Sequence, residues 1–225
     1  MSGCVTIAAL DPAATDWVGL AAVLLAGCLA AWLSGAAYAR WSLRNPPRRT
    51  YGTAIARNQP GTPMELDAAR FGSDARAFTE WTFERPSGEG SLPVWEIAGD
   101  NPSGPTVVFT HGWGDGRIGG LLRLAPFLAT ASRLLLWDLP GHGDAPARAG
   151  PCRLGRVEAN DLRALLAKTD GPVVLFGWSL GAGVSIVAAA DEPRVIGVVL
   201  EAPYRLPQIP ASRVMGAPGC RNSAY

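Results

Sequence analysis

Residues Val173–Ala190 read VVLFGWSLGAGVSIVAAA and carry the strongest structural signal in the chain. The first four residues are apolar, a pattern typical of a strand buried on both faces, and the small residues of Ala182–Ala190 predict a helix. A strand that passes directly into a helix needs a tight turn, and Gly177 and Gly181 keep side chains out of that junction. The G-x-S-x-G pattern in this setting predicts a nucleophile elbow with Ser179 at the helix N-terminus.

Further strands and helices are predicted on both sides of this stretch. We predict strands at Thr79–Arg85, Leu92–Ile97, Thr106–Thr110, Leu134–Trp137 and Val195–Leu200, and helices over the apolar positions of Leu121–Leu128 and Val157–Leu166. The first two strands are expected to form an antiparallel pair around the turn Ser87–Gly90. Strands that alternate with helices through short connections indicate an α/β fold, with a mainly parallel sheet flanked by helices.

Two loops that follow predicted strands extend the signal. His111-Gly112-Trp113-Gly114 follows one buried strand, and Asp138–Gly143 follows another. Together with the elbow at Ser179, these motifs resemble the α/β-hydrolase superfamily over roughly Thr79 to Pro203. The resemblance implies a serine hydrolase that acts on an ester, thioester or amide carbonyl of a small-molecule acyl substrate through an acyl-enzyme, with no metal or cofactor.

The resemblance also implies individual roles. Ser179 is the catalytic nucleophile, and the backbone N–H groups of Trp113 and Leu180 form the oxyanion hole. His111 and His142 have structural roles and tie loops together. Trp178 is either a wall of the substrate pocket or a core residue.

The general base and the acid are unassigned. A nucleophilic serine needs both, and the order in this superfamily places them after the serine, but no histidine follows Ser179. Three interpretations stay open: a C-terminally truncated or frameshifted hydrolase, cut after the sixth strand and inactive as it stands; a non-catalytic membrane-bound interaction module; or an unusual site with Glu201 as acid and His111 or His142 as base. In the first case Val195–Leu200 becomes an exposed apolar edge.

The N-terminal part predicts a membrane anchor. Trp17–Ala39 holds 23 residues without a charge, about 34 Å as a helix, against a hydrocarbon core of about 30 Å. A signal peptide fits poorly because no basic residue precedes this stretch. The basic residues that follow are Arg40, Arg44, Arg48 and Arg49. They predict an external N-terminus and a cytoplasmic C-terminal domain.

The expected organisation has four parts: a short segment at 1–16, the transmembrane helix at 17–39, a basic juxtamembrane linker at 40–61 and the hydrolase domain at 62–225. Thr62-Pro63-Met64-Glu65 has the form of a capping box and predicts a helix to about Arg70.

Composition excludes several classes of protein. The 225 residues contain 20 basic and 19 acidic side chains, a net charge of +1, which argues against nucleic acid as a partner. The cysteines lie far apart, at Cys4, Cys28, Cys152 and Cys220. This spacing suggests neither a zinc site nor a disulfide framework.

Overall fold

The computed structural model describes residues 12–155 and 157–205, and the chain divides into two units, Met1–Ser42 and Leu43–Tyr225. The first unit is formed by helix α1 (Pro12–Arg44), whose last two residues belong to the second unit. Over Trp17–Arg44 this helix reaches a mean hydropathy of 2.0. It is long and apolar enough to cross a membrane, a property that signal sequences share. The predicted span at 17–39 lies inside it, and the helix continues for five residues more.

The second unit contains one six-stranded sheet. The strands are β1 (Phe78–Glu84), β2 (Ser91–Ala98), β3 (Thr106–Thr110), β4 (Arg133–Trp137), β5 (Val173–Trp178) and β6 (Val195–Glu201). Their order across the sheet is β1-β2-β4-β3-β5-β6. Strand β2 pairs antiparallel with both β1 and β4, whereas β4, β3, β5 and β6 run parallel. The predicted α/β class and the antiparallel pair are confirmed.

Six further helices surround the sheet. They are α2 (Tyr51–Ala56), α3 (Ala68–Phe71), α4 (Arg117–Gly120), α5 (Ala125–Leu128), α6 (Glu158–Leu166) and α7 (Leu180–Ala189). Alternate residues of the central strands enter two cores, because successive side chains of a strand point to opposite faces. Val108, Leu135 and Leu175 belong to the core that contains residues of α6 and α7. Phe109 and Phe176, with ring centroids 5.2 Å apart, belong to the core with residues of α4 and α5.

Two local predictions of helices were wrong. The single helix predicted over Leu121–Leu128 is instead a 3-10 turn, Leu121–Arg123, followed by α5, because Pro126 has no N–H to donate to the preceding turn. The helix predicted from Thr62 is a 3-10 turn, Pro63–Glu65, followed by α3. The Glu65 carboxylate accepts from the Gly61 N–H at 2.9 Å, so the expected capping box is absent. The linker predicted at 40–61 contains the end of α1 and all of α2.

Strand β6 consists mostly of apolar residues, yet Ile196 is 66% exposed and Val199 is 42% exposed. Among residues 12–155 and 157–205, no strand pairs with the outer edge of β6. Within these residues the outer edge of β6 is therefore apolar and unpaired.

Candidate active site

Ser179 occupies a strained turn between β5 and α7. Its backbone has φ 51° and ψ −108°, a conformation that costs a residue with a side chain on the order of 1–3 kcal/mol. The Ser179 N–H donates to the Glu201 carbonyl at 2.8 Å, and the Ser179 carbonyl accepts from the Ala182 N–H at 3.0 Å. These bonds hold the turn between the end of β6 and the first turn of α7.

The two glycines of the motif are required by close backbone contacts. A Cβ at Gly177 would lie 2.6 Å from the Ala182 Cα atom, inside the first turn of α7. A Cβ at Gly181 would overlap the carbonyl group of Thr110 at the end of β3. Helix α7 can therefore approach β3 and β5 closely only when these positions lack side chains.

Both predicted oxyanion donors lie at the carboxyl edge of neighbouring parallel strands. Leu180 is the first residue of α7, so its N–H has no acceptor within the helix. Trp113 lies in the loop after β3, and its backbone N–H has no recorded acceptor in the described ranges 12–155 and 157–205. In the same loop, Gly112 packs against the Trp178 ring, which a Cβ would approach to 2.9 Å. Both N–H groups therefore lie at the same edge of the sheet, after the neighbouring strands β3 and β5.

His111 joins two loops, whereas the hydrogen bond of His142 stays within its own loop. His111 Nε2 accepts from the Leu139 N–H at 3.0 Å, and His111 Nδ1 lies 2.8 Å from the Gly112 carbonyl oxygen. His142 Nδ1 lies 3.0 Å from the Pro140 carbonyl oxygen. Both rings are fully buried, with centroids 5.0 Å apart. Burial, reinforced by His111, lowers the pKa of His142 well below its ordinary value, so the neutral ring is favoured.

A buried ionic network fixes the same loops, and sequence reasoning missed it. Asp138 accepts from the backbone N–H groups of Arg117 at 2.6 Å and of Asp144 at 3.0 Å. The Arg117 guanidinium donates to the Asp144 carboxylate at 3.0 Å and lies 4.3 Å from the Trp95 ring centroid. Burial raises the pKa of Asp138. The one signal in the sequence was the acidic residue Asp144 directly after Gly141-His142-Gly143. The structure shows that its partner is Arg117.

Glu201, the candidate acid, is paired with an arginine. Its two carboxylate oxygens accept from Arg123 Nε at 2.8 Å and from a terminal nitrogen of Arg123 at 3.1 Å. The Arg123 guanidinium also lies 4.3 Å from the centroid of the Trp178 ring. Trp178 is thus half-buried beneath the Arg123 guanidinium, at the end of β5 next to Ser179. The structure brings Glu201 next to the Ser179 turn, but its bonded partner is Arg123 and not a histidine.

The segment just after α1 packs on the loops at this edge. Arg49 forms an ion pair with Asp115 at 2.8 Å, and both side chains are nearly buried. Arg48 donates to the Ala145 carbonyl at 2.6 Å. The Trp113 indole N–H donates to the Leu43 carbonyl at 2.8 Å. Arg48 and Arg49 were predicted only as flanking charges of a membrane span, so their contacts with the domain were not foreseen.

A cavity of about 240 Å³ lies beside this segment, lined in part by Asn45, Arg48, Gly141 and Pro151. Within the described part of the chain, no group of three or more His, Cys, Asp or Glu side chains is placed to hold a metal ion.

Comparison with known proteins places these features in a family. The sequence model of the Alpha/beta hydrolase family matches residues 107–222, just over half of the chain. A pimeloyl-[acyl-carrier protein] methyl ester esterase of Stenotrophomonas maltophilia is 40% identical over 98 residues, which are 43% of this chain and 35% of that protein. The corresponding esterase of Chromobacterium violaceum is 42% identical over 92 residues, 40% of this chain and 33% of that protein. The chain therefore spans about a third of the length of the curated relatives it matches.

A solved structure shows a similar fold. An esterase from Pyrococcus furiosus superposes with a TM-score of 0.58 at 19% identity, covering 77% of this chain and 63% of that one. At this identity the likeness concerns the fold alone.

Proposed function

The chain belongs to the Alpha/beta hydrolase family, and on that premise we propose that it is a membrane-anchored serine hydrolase in which Ser179 attacks an acyl carbonyl. The single observation that carries this proposal is the Ser179 turn: a non-glycine residue with φ 51° at the first turn of α7. Such strain persists only where the surrounding structure imposes it, and it keeps the hydroxyl free of the helix.

In this proposal the reaction proceeds through an acyl-enzyme. Ser179 Oγ forms a bond to the carbonyl carbon, and the oxygen of the tetrahedral intermediate accepts from the Trp113 and Leu180 N–H groups. The leaving alcohol, thiol or amine departs with a proton, and water then releases the acid. The similarity to methyl ester esterases makes a methyl ester of an acyl chain the first substrate class to test.

The catalytic activity of these 225 residues is limited by the removal of the proton from the Ser179 hydroxyl. A base must take the proton from Ser179 Oγ, yet no histidine follows Ser179, and the two that precede it are buried in loop contacts. We therefore expect negligible turnover from these 225 residues alone, and a serine that reacts only slowly.

The test uses a fluorophosphonate probe on the full chain in detergent, with and without added imidazole as an external base. Ser179→Ala removes the proposed nucleophile. Ser185→Ala is the matched control, because Ser185 is a buried serine of the same helix. We expect slow labelling of wild type and Ser185→Ala, faster with imidazole, and none of Ser179→Ala. Equal labelling of all three proteins, or none of wild type with imidazole, contradicts the proposal.

A non-catalytic interaction module is the second candidate. The ion pair between Arg123 and Glu201 favours it, because the carboxylate at the end of β6 already has a bonded partner. Under this alternative, imidazole leaves the labelling of wild type as low as that of Ser179→Ala.

We also propose that residues 17–39 span the membrane, with residues 1–16 outside and the domain at 62–225 in the cytoplasm. The uncharged length of the helix and the arginines that follow it support this orientation. In intact cells, a membrane-impermeant maleimide should label Cys4 but not a cysteine placed at Ser103. Labelling of Ser103→Cys without lysis reverses the orientation.

A further inference from the structure

The last two residues of α1, which belong to the second unit, contact one particular edge of the sheet. The Leu43 carbonyl accepts from the Trp113 indole N–H at 2.8 Å, and the Arg44 carbonyl accepts from the Cys152 N–H at 3.0 Å. Trp113 lies in the loop after β3, and Cys152 lies in the long loop after β4. Strands β3, β4 and β5 are parallel, so both loops share the edge where β5 reaches Ser179.

The path of the linker strengthens this attachment. Pro47 lies beside Gly114, where a Cβ would come within 3.5 Å of the proline ring. Arg49 then forms its nearly buried ion pair with Asp115. The linker therefore contacts the Trp113 loop at several successive points, and this edge of the domain cannot move far from the end of α1.

Chain length converts this attachment into a distance from the bilayer. Leu43 lies four residues beyond Ala39, the last residue of the uncharged run, and four residues of chain extend over at most about 14 Å. The headgroup layer on each side of a membrane is roughly 5–8 Å thick. In whatever direction α1 leaves the domain, the Trp113 loop is held within a short distance of the lipid surface.

The exposed side chains at this edge suit such a surface. Arg48 and Arg148 are exposed, and Leu154 is 38% exposed in the loop after β4. Basic side chains favour anionic headgroups, and an exposed leucine can enter the interface.

From these contacts we infer that the edge carrying Trp113 and Ser179 faces the lipid surface, and that the substrate is a membrane-resident ester whose carbonyl lies at headgroup level. The inference rests on the proposed function for its chemistry and on the proposed span for its position. It names a source for the substrate: the bilayer itself.

Depth-dependent fluorescence quenching tests the position. The full chain is placed in vesicles of phosphatidylcholine and phosphatidylglycerol that carry nitroxide lipids, with one NBD label at a time. The labelled sites are native Cys28 inside the span, Pro47→Cys and Arg148→Cys at the proposed surface, and Ser103→Cys between β2 and β3. All other cysteines except Cys152 are replaced by serine. Cys152 stays unlabelled because burial raises the pKa of its thiol to about 12.

Ser103 is the matched control, since it is exposed at the opposite edge of the sheet, where β3 begins. We expect acyl-chain nitroxides to quench Cys28, headgroup nitroxides to remove most of the emission at positions 47 and 148, and neither to affect position 103. If Cys28 is quenched while 47 and 148 behave like 103, the inference is overturned and the span stands. If Cys28 is not quenched, both the span and the inference fail.

Photo-crosslinking tests the substrate class separately. A phosphatidylcholine with a diazirine next to its acyl ester should crosslink to peptides that contain Gly112–Asp115 or Arg148–Leu154. Ser179→Ala should crosslink equally well, because the surface does not depend on the nucleophile. Crosslinks confined to residues 17–41 overturn the inference, whereas failure of Ser179 to react with fluorophosphonate overturns only the proposed function.

Discussion

Strands β3 and β6 are both apolar runs in one parallel sheet, yet their surroundings differ. Every residue of β3 is buried, whereas Ile196 and Val199 of β6 are 66% and 42% exposed. Both strands pair with β5, on opposite sides, so that Val108 of β3 and Val198 of β6 flank Leu175 in register. Composition makes a strand compatible with burial, but neighbours on both sides provide it.

The largest expected effect lies where α7 contacts the end of β3, the buried strand of this comparison. Gly181→Ala would place a Cβ against the Thr110 carbonyl at the end of β3, and we expect it to cost at least about 4 kcal/mol of unfolding free energy. Gly183→Ala is its control on the β6 side, because its nearest neighbour is the Tyr204 hydroxyl at 3.4 Å. There, alanine should be neutral or stabilising by up to about 1 kcal/mol. Urea unfolding of the full chain in detergent measures both, and equal losses would break the comparison.

The second effect contrasts two arginine–carboxylate pairs. Arg85 and Asp161 are each only 1% exposed, so Arg85→Ala leaves a buried carboxylate without its partner and should cost about 3–4 kcal/mol. The Arg123–Glu201 pair at the end of β6 is partly exposed, at 20% and 45%. Arg123→Ala should cost no more than about 1 kcal/mol. The same unfolding measurement decides, and a larger loss for Arg123→Ala contradicts the argument.

The matched valines measure the comparison most directly. Val108 is fully buried and Val198 is 38% exposed. We expect Val108→Ala to cost about 2 kcal/mol, from lost apolar burial and the cavity left behind. Val198→Ala should stay within about 0.5 kcal/mol. If the two losses are equal, something covers β6 in solution.

The smallest effect is a pH dependence of the free energy of unfolding that arises from the buried His142. Since burial depresses the folded pKa of His142, the neutral ring stabilises the fold above the unfolded pKa, and this stability is lost as the pH falls below about 6.5. His142→Asn keeps a donor for the Pro140 carbonyl and cannot titrate. Between pH 7 and pH 5, the midpoint temperature of thermal unfolding should fall more steeply for wild type than for the variant. If the two proteins show the same pH dependence, His142 does not have this role.

Much of the fold was predictable from local patterns. Thr106–Thr110 matches β3 residue for residue, and the Gly177–Gly181 spacing placed Ser179 at the start of α7. These features depend on short-range physics: apolar runs, and glycines where backbones approach. The break at Pro126 also follows from a local signal, because the missing N–H of proline outweighs the helical spacing of the neighbouring leucines.

The ionic contacts around the site were not predictable in the same way. Arg49 lies 66 residues from Asp115, and Arg123 lies 78 residues from Glu201. Nothing local distinguishes these arginines from solvated ones, because their partners are set by how distant loops meet at one edge of the sheet. The sequence therefore predicted which backbone carries the site but not which side chains hold it in place.

The bond from the Ser179 N–H to the Glu201 carbonyl has a kinetic consequence. It joins the strained Ser179 turn to β6, whose outer edge is unpaired within residues 12–155 and 157–205, so local opening of β6 frees the turn that positions the hydroxyl. Amide hydrogen exchange at Ser179 should therefore follow the opening of β6 and not global unfolding. The Ser179 turn therefore keeps its geometry only as long as β6 stays paired with β5. Any molecule that pairs with the outer edge of β6 would lengthen that time.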